Sequence, residues 1–175
     1  KHGGANIKVM QMMQNIKENV RDWSEKSVTD YIDKILKKEV FDHAGLVYGM
    51  GHAVYTLSDP RAEILKLYAE KLAVEKHREE EYHLYETVEN AAKKLINEQH
   101  KLSKPVCANV DLYSGFVYSM LNLPTDLYTP LFAISRVAGW SAHRMEELIN
   151  GNRIIRPSYH CVKSDQTYIP MDERE

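Results

Sequence analysis

The chain has 175 residues, 43% hydrophobic and 27% charged, enough to bury a core as one globular domain or two small ones and a composition that argues against disorder. Its formal net charge of −2 offers no global attraction to nucleic acid or to an anionic membrane, so any anion binding has to come from local arginine clusters. Two cysteines, Cys107 and Cys161, without CxxC or His-Cys spacing, exclude a disulfide framework and point to a reducing cytoplasm, and no apolar run reaches the ~18 residues of a membrane span.

Apolar residues recur at helical spacing along most of the chain and sustained alternation is scarce, so the expected class is all-α. The spacing predicts a first helix over residues 4–15, with Ile7, Met10, Met13 and Ile16 on one side. Ser27, with Asp30 three residues on, is the expected N-cap of a second helix carrying Val28, Ile32, Ile35 and Leu36. Asp59 is the expected N-cap of a third, with Pro60 at the first helical position and Ile64, Tyr68 and Leu72 as its buried stripe. Glu79, Glu80 and Glu81 read as a solvated helix start. Tyr85, Val88, Ala92, Leu95 and Leu102 then mark a long helix that ends near Ser103, because Pro105 pushes Lys104 out of the α region. A short helix follows over residues 114–121. A last one opens at Thr129 and Pro130, with Leu131, Ile134, Ala138, Met145 and Leu148 facing inward until Gly151 stops it. Residues 152–175 read as an extended tail with room for a small hairpin.

Chemistry concentrates in a few dense segments. His52 stands in Gly49-Met50-Gly51-His52-Ala53-Val54-Tyr55, where the glycines allow close backbone approach to a ligand, although an ordinary turn would carry the same residues. Arg61, in the first turn of the third helix, opposes the macrodipole unless an anion sits there; the alternative is pairing with Asp59 or Glu63. His2 precedes Gly3 and Gly4 at a helix start, a setting that favours a neutral ring able to donate to an oxygen, unless the terminus simply frays. Asp111, just before the short helix and flanked by Asn109 and Ser114, fits an N-cap or turn residue as well as a general base. Arg136 lies off the apolar stripe of its helix, and Arg153 and Arg156 stand in the tail. The other histidines have neither i, i+4 pairing around a glutamate nor cysteine partners, so no metal site is expected. P-loop, Rossmann and G-x-S-x-G motifs are absent.

In their order along the chain, His2-Gly3-Gly4-Ala5-Asn6, the His52 loop, Asp59-Pro60-Arg61-Ala62, Asn109-Val110-Asp111-Leu112-Tyr113-Ser114-Gly115, the Arg136 segment and Ile154-Ile155-Arg156-Pro157 resemble the citrate synthase family, 2-methylcitrate synthases included. The resemblance implies a two-domain helical fold, with residues 1–110 as the small, CoA-binding domain and residues 111–175 as the C-terminal portion of the large one. It implies that Asp111 removes the acetyl-CoA methyl proton, that His2 stabilises the resulting enolate and that His52 polarises the oxaloacetate carbonyl. Arg61 and Arg136 would bind carboxylates, Arg156 would enter the site of the other subunit of a homodimer, and Val47, Tyr48, Gly49, Met50 and Gly51 would contact CoA. CoA is then a substrate and product, with no permanently bound cofactor, and the partners are oxaloacetate, acetyl-CoA and a missing N-terminal part of the same cytoplasmic enzyme. Thr56 departs from the family pattern, which places a lysine or arginine there against the CoA phosphates. Two other functions fit the same residues: a 2-methylcitrate synthase using propionyl-CoA, and a non-catalytic fragment or paralogue that binds a partner or CoA.

Overall fold

The computed structural model describes residues 4–100, 105–151 and 170–171, with backbone only for Gln99 and His100. Among the described residues six α-helices run in order: α1 (Ala5–Asn19), α2 (Glu25–Leu36), α3 (Pro60–Glu75), α4 (Glu79–His100), α5 (Val110–Met120) and α6 (Tyr128–Asn150), the last preceded by a 3₁₀ turn at Thr125–Leu127. Among the described residues the one extended pairing is an antiparallel bridge between Met50 and Ala108, so the expected all-α class holds. None of these helices is long and apolar enough to cross a membrane.

Two compact units divide the chain, residues 1–137 and residues 138–175. In the first, α5 is the central element. Six consecutive residues of it, Leu112 to Val117, are buried, as a helix packed on several sides requires. It lies against α3 and α1, while α4 packs on α2 and α3. Gly115 faces α1 so closely that a Cβ there would come within 2.8 Å of Met10 Cγ and Sδ. Tyr85 of α4 stacks on Phe116 with ring centroids 4.7 Å apart, joining α4 to the same core. α5 thus packs inside the first unit.

Several sequence expectations shift in detail. α2 is capped by Ser24, whose Oγ accepts the Ser27 N–H at 3.3 Å, so the cap lies three residues before the expected one. The buried stripe of α3 is Ala62, Ala69 and Ala73 with half-buried Leu72, whereas Ile64 and Tyr68 are exposed. Small side chains on that face suit the close packing of α3 on α5. Glu81 is not a solvated residue: it pairs with Lys17 of α1 and with Arg78, whose Nη2 is 2.6 Å away. α6 leaves Ile134 68% exposed, and Met145 and Leu148 are exposed as well, because no described residue covers that stripe. Residues 152–169, where the expected tail falls, lie outside the described residues.

Candidate active site

The segment around His52 is docked onto the N-terminus of α5. Gly49 and Gly51 have φ of +85° and +83°, a region that costs other residues energy. At Gly49 a side chain is barred outright, since a Cβ would lie 2.9 Å from Leu112 Cα. The Gly51 N–H donates to the Cys107 carbonyl and the Asn109 N–H to the Gly49 carbonyl, both at 2.8 Å. Asn109 adds two side-chain bonds. Its Nδ2 donates to the Gly51 carbonyl at 2.8 Å, and its Oδ1 accepts the Asp111 N–H at 2.9 Å.

His52 itself is exposed, and its Nδ1 accepts the Val54 and Tyr55 N–H groups at 3.1 and 3.2 Å. An acceptor Nδ1 assigns the ring hydrogen of the neutral imidazole to Nε2. Arg61 Nη2 is 3.3 Å from that Nε2. Two donors so close together do not bond each other; side by side they present N–H groups to the oxygen acceptors of a ligand. Tyr55 lies beneath both groups, its ring centroid 4.9 Å from that of His52 and 5.4 Å from Arg61 Cζ.

Asp59 explains why Arg61 is held there. Its carboxylate is fully buried, caps α3 through the Arg61 N–H at 3.0 Å, and receives Arg61 Nε at 2.9 Å and Nη2 at 2.7 Å. A fourth donor is the Val110 N–H at 3.2 Å, the first residue of α5. The bonds to Arg61 outweigh the effect of burial and hold the Asp59 carboxyl below the usual carboxylate range. Arg61 is therefore paired with Asp59, as one reading of the sequence allowed, yet it still presents Nη2 toward His52.

Asp111 is the second residue of α5 and not a residue before the helix, because Asn109 takes the cap position. Burial pushes its carboxyl above the usual range, against the pull of Arg61, Arg136 and His52 and with a contribution from Asp59. Arg136 is half-buried in α6, with its guanidinium over the Phe132 ring at 5.0 Å and Nη1 3.3 Å from the Phe132 carbonyl. Four expected site residues, His52, Arg61, Asp111 and Arg136, thus share one electrostatic neighbourhood. Val47 is buried in the core, the Tyr48 hydroxyl donates to Asp42 at 2.7 Å, and the backbone of Gly49 and Gly51 is bonded to Cys107 and Asn109. His2 and Arg156 lie outside the described residues. Asn109, Asp59 and Tyr55 escaped the sequence reading as site components. Only the Asp-x-Arg spacing at 59–61 carried a signal for one of them.

Residues 1–158 match the family model "Citrate synthase, C-terminal domain". The chain is 39% identical to a citrate synthase of Synechocystis sp. across 99% of its own length and 40% of that protein, and 38% identical to a 2-methylcitrate synthase of Shewanella oneidensis across 99% and 41%. Among solved structures, the ternary complex of carboxymethyl coenzyme A and oxaloacetate with the citrate synthase of Thermoplasma acidophilum aligns with a TM-score of 0.64 at 31% identity, covering 98% of this chain and 42% of that one. The chain thus spans about two fifths of the length of the relatives it matches. It belongs to the citrate synthase family, matching its C-terminal domain.

Proposed function

We propose that this chain carries the acid–base and oxaloacetate-binding half of a citrate synthase site. In the reaction, Asp111 takes a methyl proton from acetyl-CoA, and the resulting enolate carbon bonds to the oxaloacetate carbonyl carbon as the C=O π pair moves to oxygen, which takes the His52 Nε2 proton to become the hydroxyl of the thioester product. Water then cleaves the thioester to give citrate and free CoA. His52 Nε2 and Arg61 Nη2 donate to the carbonyl oxygen and an adjacent carboxylate oxygen, drawing electrons from the attacked carbon, while Arg136 binds a carboxylate. By the family pattern His2 stabilises the enolate, Arg156 reaches the other subunit of a homodimer, and the backbone of residues 47–51 contacts CoA. Residues 1–110 are assigned to the small domain and the rest to the large one, in a cytoplasmic enzyme.

The observation that carries this reading is the pairing of donors with a base: His52 Nε2 and Arg61 Nη2, 3.3 Å apart, in the electrostatic field of a carboxyl whose basicity burial has raised. An oxyanion donor of this kind contributes ~3 kcal/mol to a barrier when preorganised, and a positioned base a factor of ~10²–10⁴. In a full-length enzyme containing this segment, Asp111→Asn should cut CoA release by ~10²–10⁴, with oxaloacetate binding by calorimetry retained. Near-normal turnover would remove the assignment. A propionyl-CoA donor is the second reading, supported by the identity to the Shewanella 2-methylcitrate synthase, and the ratio of kcat/KM for the two thioesters decides between them. The 175-residue chain by itself is expected not to turn over; CoA release from it would overturn that expectation.

A further inference from the structure

The site has two halves with different backbones: the His52 loop, which carries the carbonyl donor, and the start of α5, which carries the base. What joins them is small. The backbone supplies two hydrogen bonds, Gly51 N–H to the Cys107 carbonyl and Asn109 N–H to the Gly49 carbonyl. Two side chains add to these: Cys107 Sγ reaches the Tyr55 carbonyl at 3.5 Å, and Asn109 bonds the residue next to His52 and the backbone of the base itself, through Nδ2 to the carbonyl of Gly51 and through Oδ1 to the N–H of Asp111. Each Asn109 bond is short and well within hydrogen-bonding range. Gly51 has a positive φ, and a Cβ there would meet only Val106 Cγ1 at 3.8 Å, so hydrogen bonds more than side-chain packing hold that end of the loop.

A helix cap needs only an acceptor, and serine or aspartate would serve α5 as well as asparagine. The Nδ2 donor is surplus to capping, and it is spent on the loop. We infer that Asn109 is a positioning residue for the condensation, setting the separation and orientation of His52 relative to Asp111. The inference rests on the catalytic reading above for its consequence in turnover, but the tether itself does not depend on it. Asn109 touches neither reacting atoms nor substrate in this account; it acts through Gly51 on His52.

The substitutions that isolate the tether are Asn109→Ser and Asn109→Asp, since both keep a cap acceptor and remove the donor. In the 175-residue chain, amide hydrogen exchange by NMR should show the Gly51 and Val54 N–H groups exchanging about tenfold faster in both variants, with the Asp111 and Leu112 N–H groups within about twofold of the parent. Asn109→Ala, which removes cap and tether together, should speed both sets. Unchanged exchange at Gly51 and Val54, or equal acceleration of both sets in the serine and aspartate variants, would overturn the inference and leave Asn109 a cap alone. In a full-length enzyme with measurable parental turnover, Asn109→Ser should lower kcat about tenfold while the oxaloacetate KM stays within about twofold, because small misplacements of a catalytic group are costly at the transition state and cheap in the ground state. A parental kcat in that variant would overturn it too. A parent enzyme that releases no CoA would count against the catalytic reading, and the exchange experiment would still decide the tether.

Discussion

Asp111 sits at a balance of opposing effects, and the balance has a measurable sign. Burial raises its pKa despite the facing guanidinium groups of Arg61 and Arg136, so the folded state binds the proton more tightly than the unfolded chain does. Below the ordinary carboxylate range the group is protonated in both states and costs nothing. Above its raised folded value the full penalty is present. Asp111→Asn should therefore raise the Tm of the chain at pH 7, and the gain should vanish by about pH 3. Each kcal/mol recovered corresponds to roughly 2–4 °C in a chain of this size. An unchanged or lower Tm at pH 7 would show that the carboxylate is stabilised by its arginines after all. Asp59 behaves oppositely: four donors hold its fully buried carboxylate, and Asp59→Ala should cost ~1–3 kcal/mol in chemical denaturation, because it removes the cap of α3 and leaves the Val110 N–H unpaired while Arg61, 46% exposed, turns to water.

At the scale of elements, the packing around α5 distinguishes two glycines that look alike in sequence. Gly49 has positive φ and would place a Cβ 2.9 Å from backbone, whereas the neighbours of a Cβ at Gly115 are the flexible end of Met10. Gly49→Ala should cost ~3 kcal/mol or more and Gly115→Ala ~1–2 kcal/mol, measured by urea titration. Equal losses would mean that the Met10 contact is as rigid as the Leu112 backbone. A second device ties α3, α4 and α5 together. Buried Glu89 accepts from Tyr113 Oη at 2.6 Å, from Lys66 at 3.2 Å and from Lys93. Burial acts to raise its pKa, but the bonds from Lys93 and Tyr113 and the charges of Lys93 and Lys66 win, leaving it below the usual range. The stability this network contributes is present above the ordinary glutamate pKa and is lost as pH falls through the depressed one. Glu89→Gln should accordingly lose ~1–3 kcal/mol at pH 7 and a smaller amount in acid, visible as a Tm gap that narrows below pH 4. Tyr113, pressed by burial and by Glu89, is held far above the ordinary phenol range and stays a donor throughout.

For the molecule as a whole, the helices differ in how much apolar surface they hide. A continuous core runs through α1, α2, α3, α4 and α5, while α6 carries exposed Ile134, Val137, Met145, Leu148 and Ile149 along its length. An exposed apolar stripe of this kind favours association, so sedimentation of the 175-residue chain should show concentration-dependent species at tens of micromolar. Ile134→Glu with Leu148→Lys should return it toward monomer without lowering the Tm of the first unit. A monomer at all concentrations would mean that the stripe is covered by residues outside those described.

The sequence by itself determined the helical class, the cap of α3 at Asp59 and the set of motifs whose order identifies the family. These are local: a cap, a proline and a glycine pair act through neighbours two to four residues away, and the motif residues are conspicuous by type. It did not determine which face of α3 is buried, because Ala69 and Ala73, which face the core, give a weaker periodic signal than Ile64 and Tyr68, which do not. Nor did it show that Asn109 joins Gly51 to Asp111 across 58 residues, or that Arg61 answers to Asp59 and His52 together. Those pairings depend on where α3, α5 and the intervening loop come to rest against one another, a consequence of packing that no local pattern encodes.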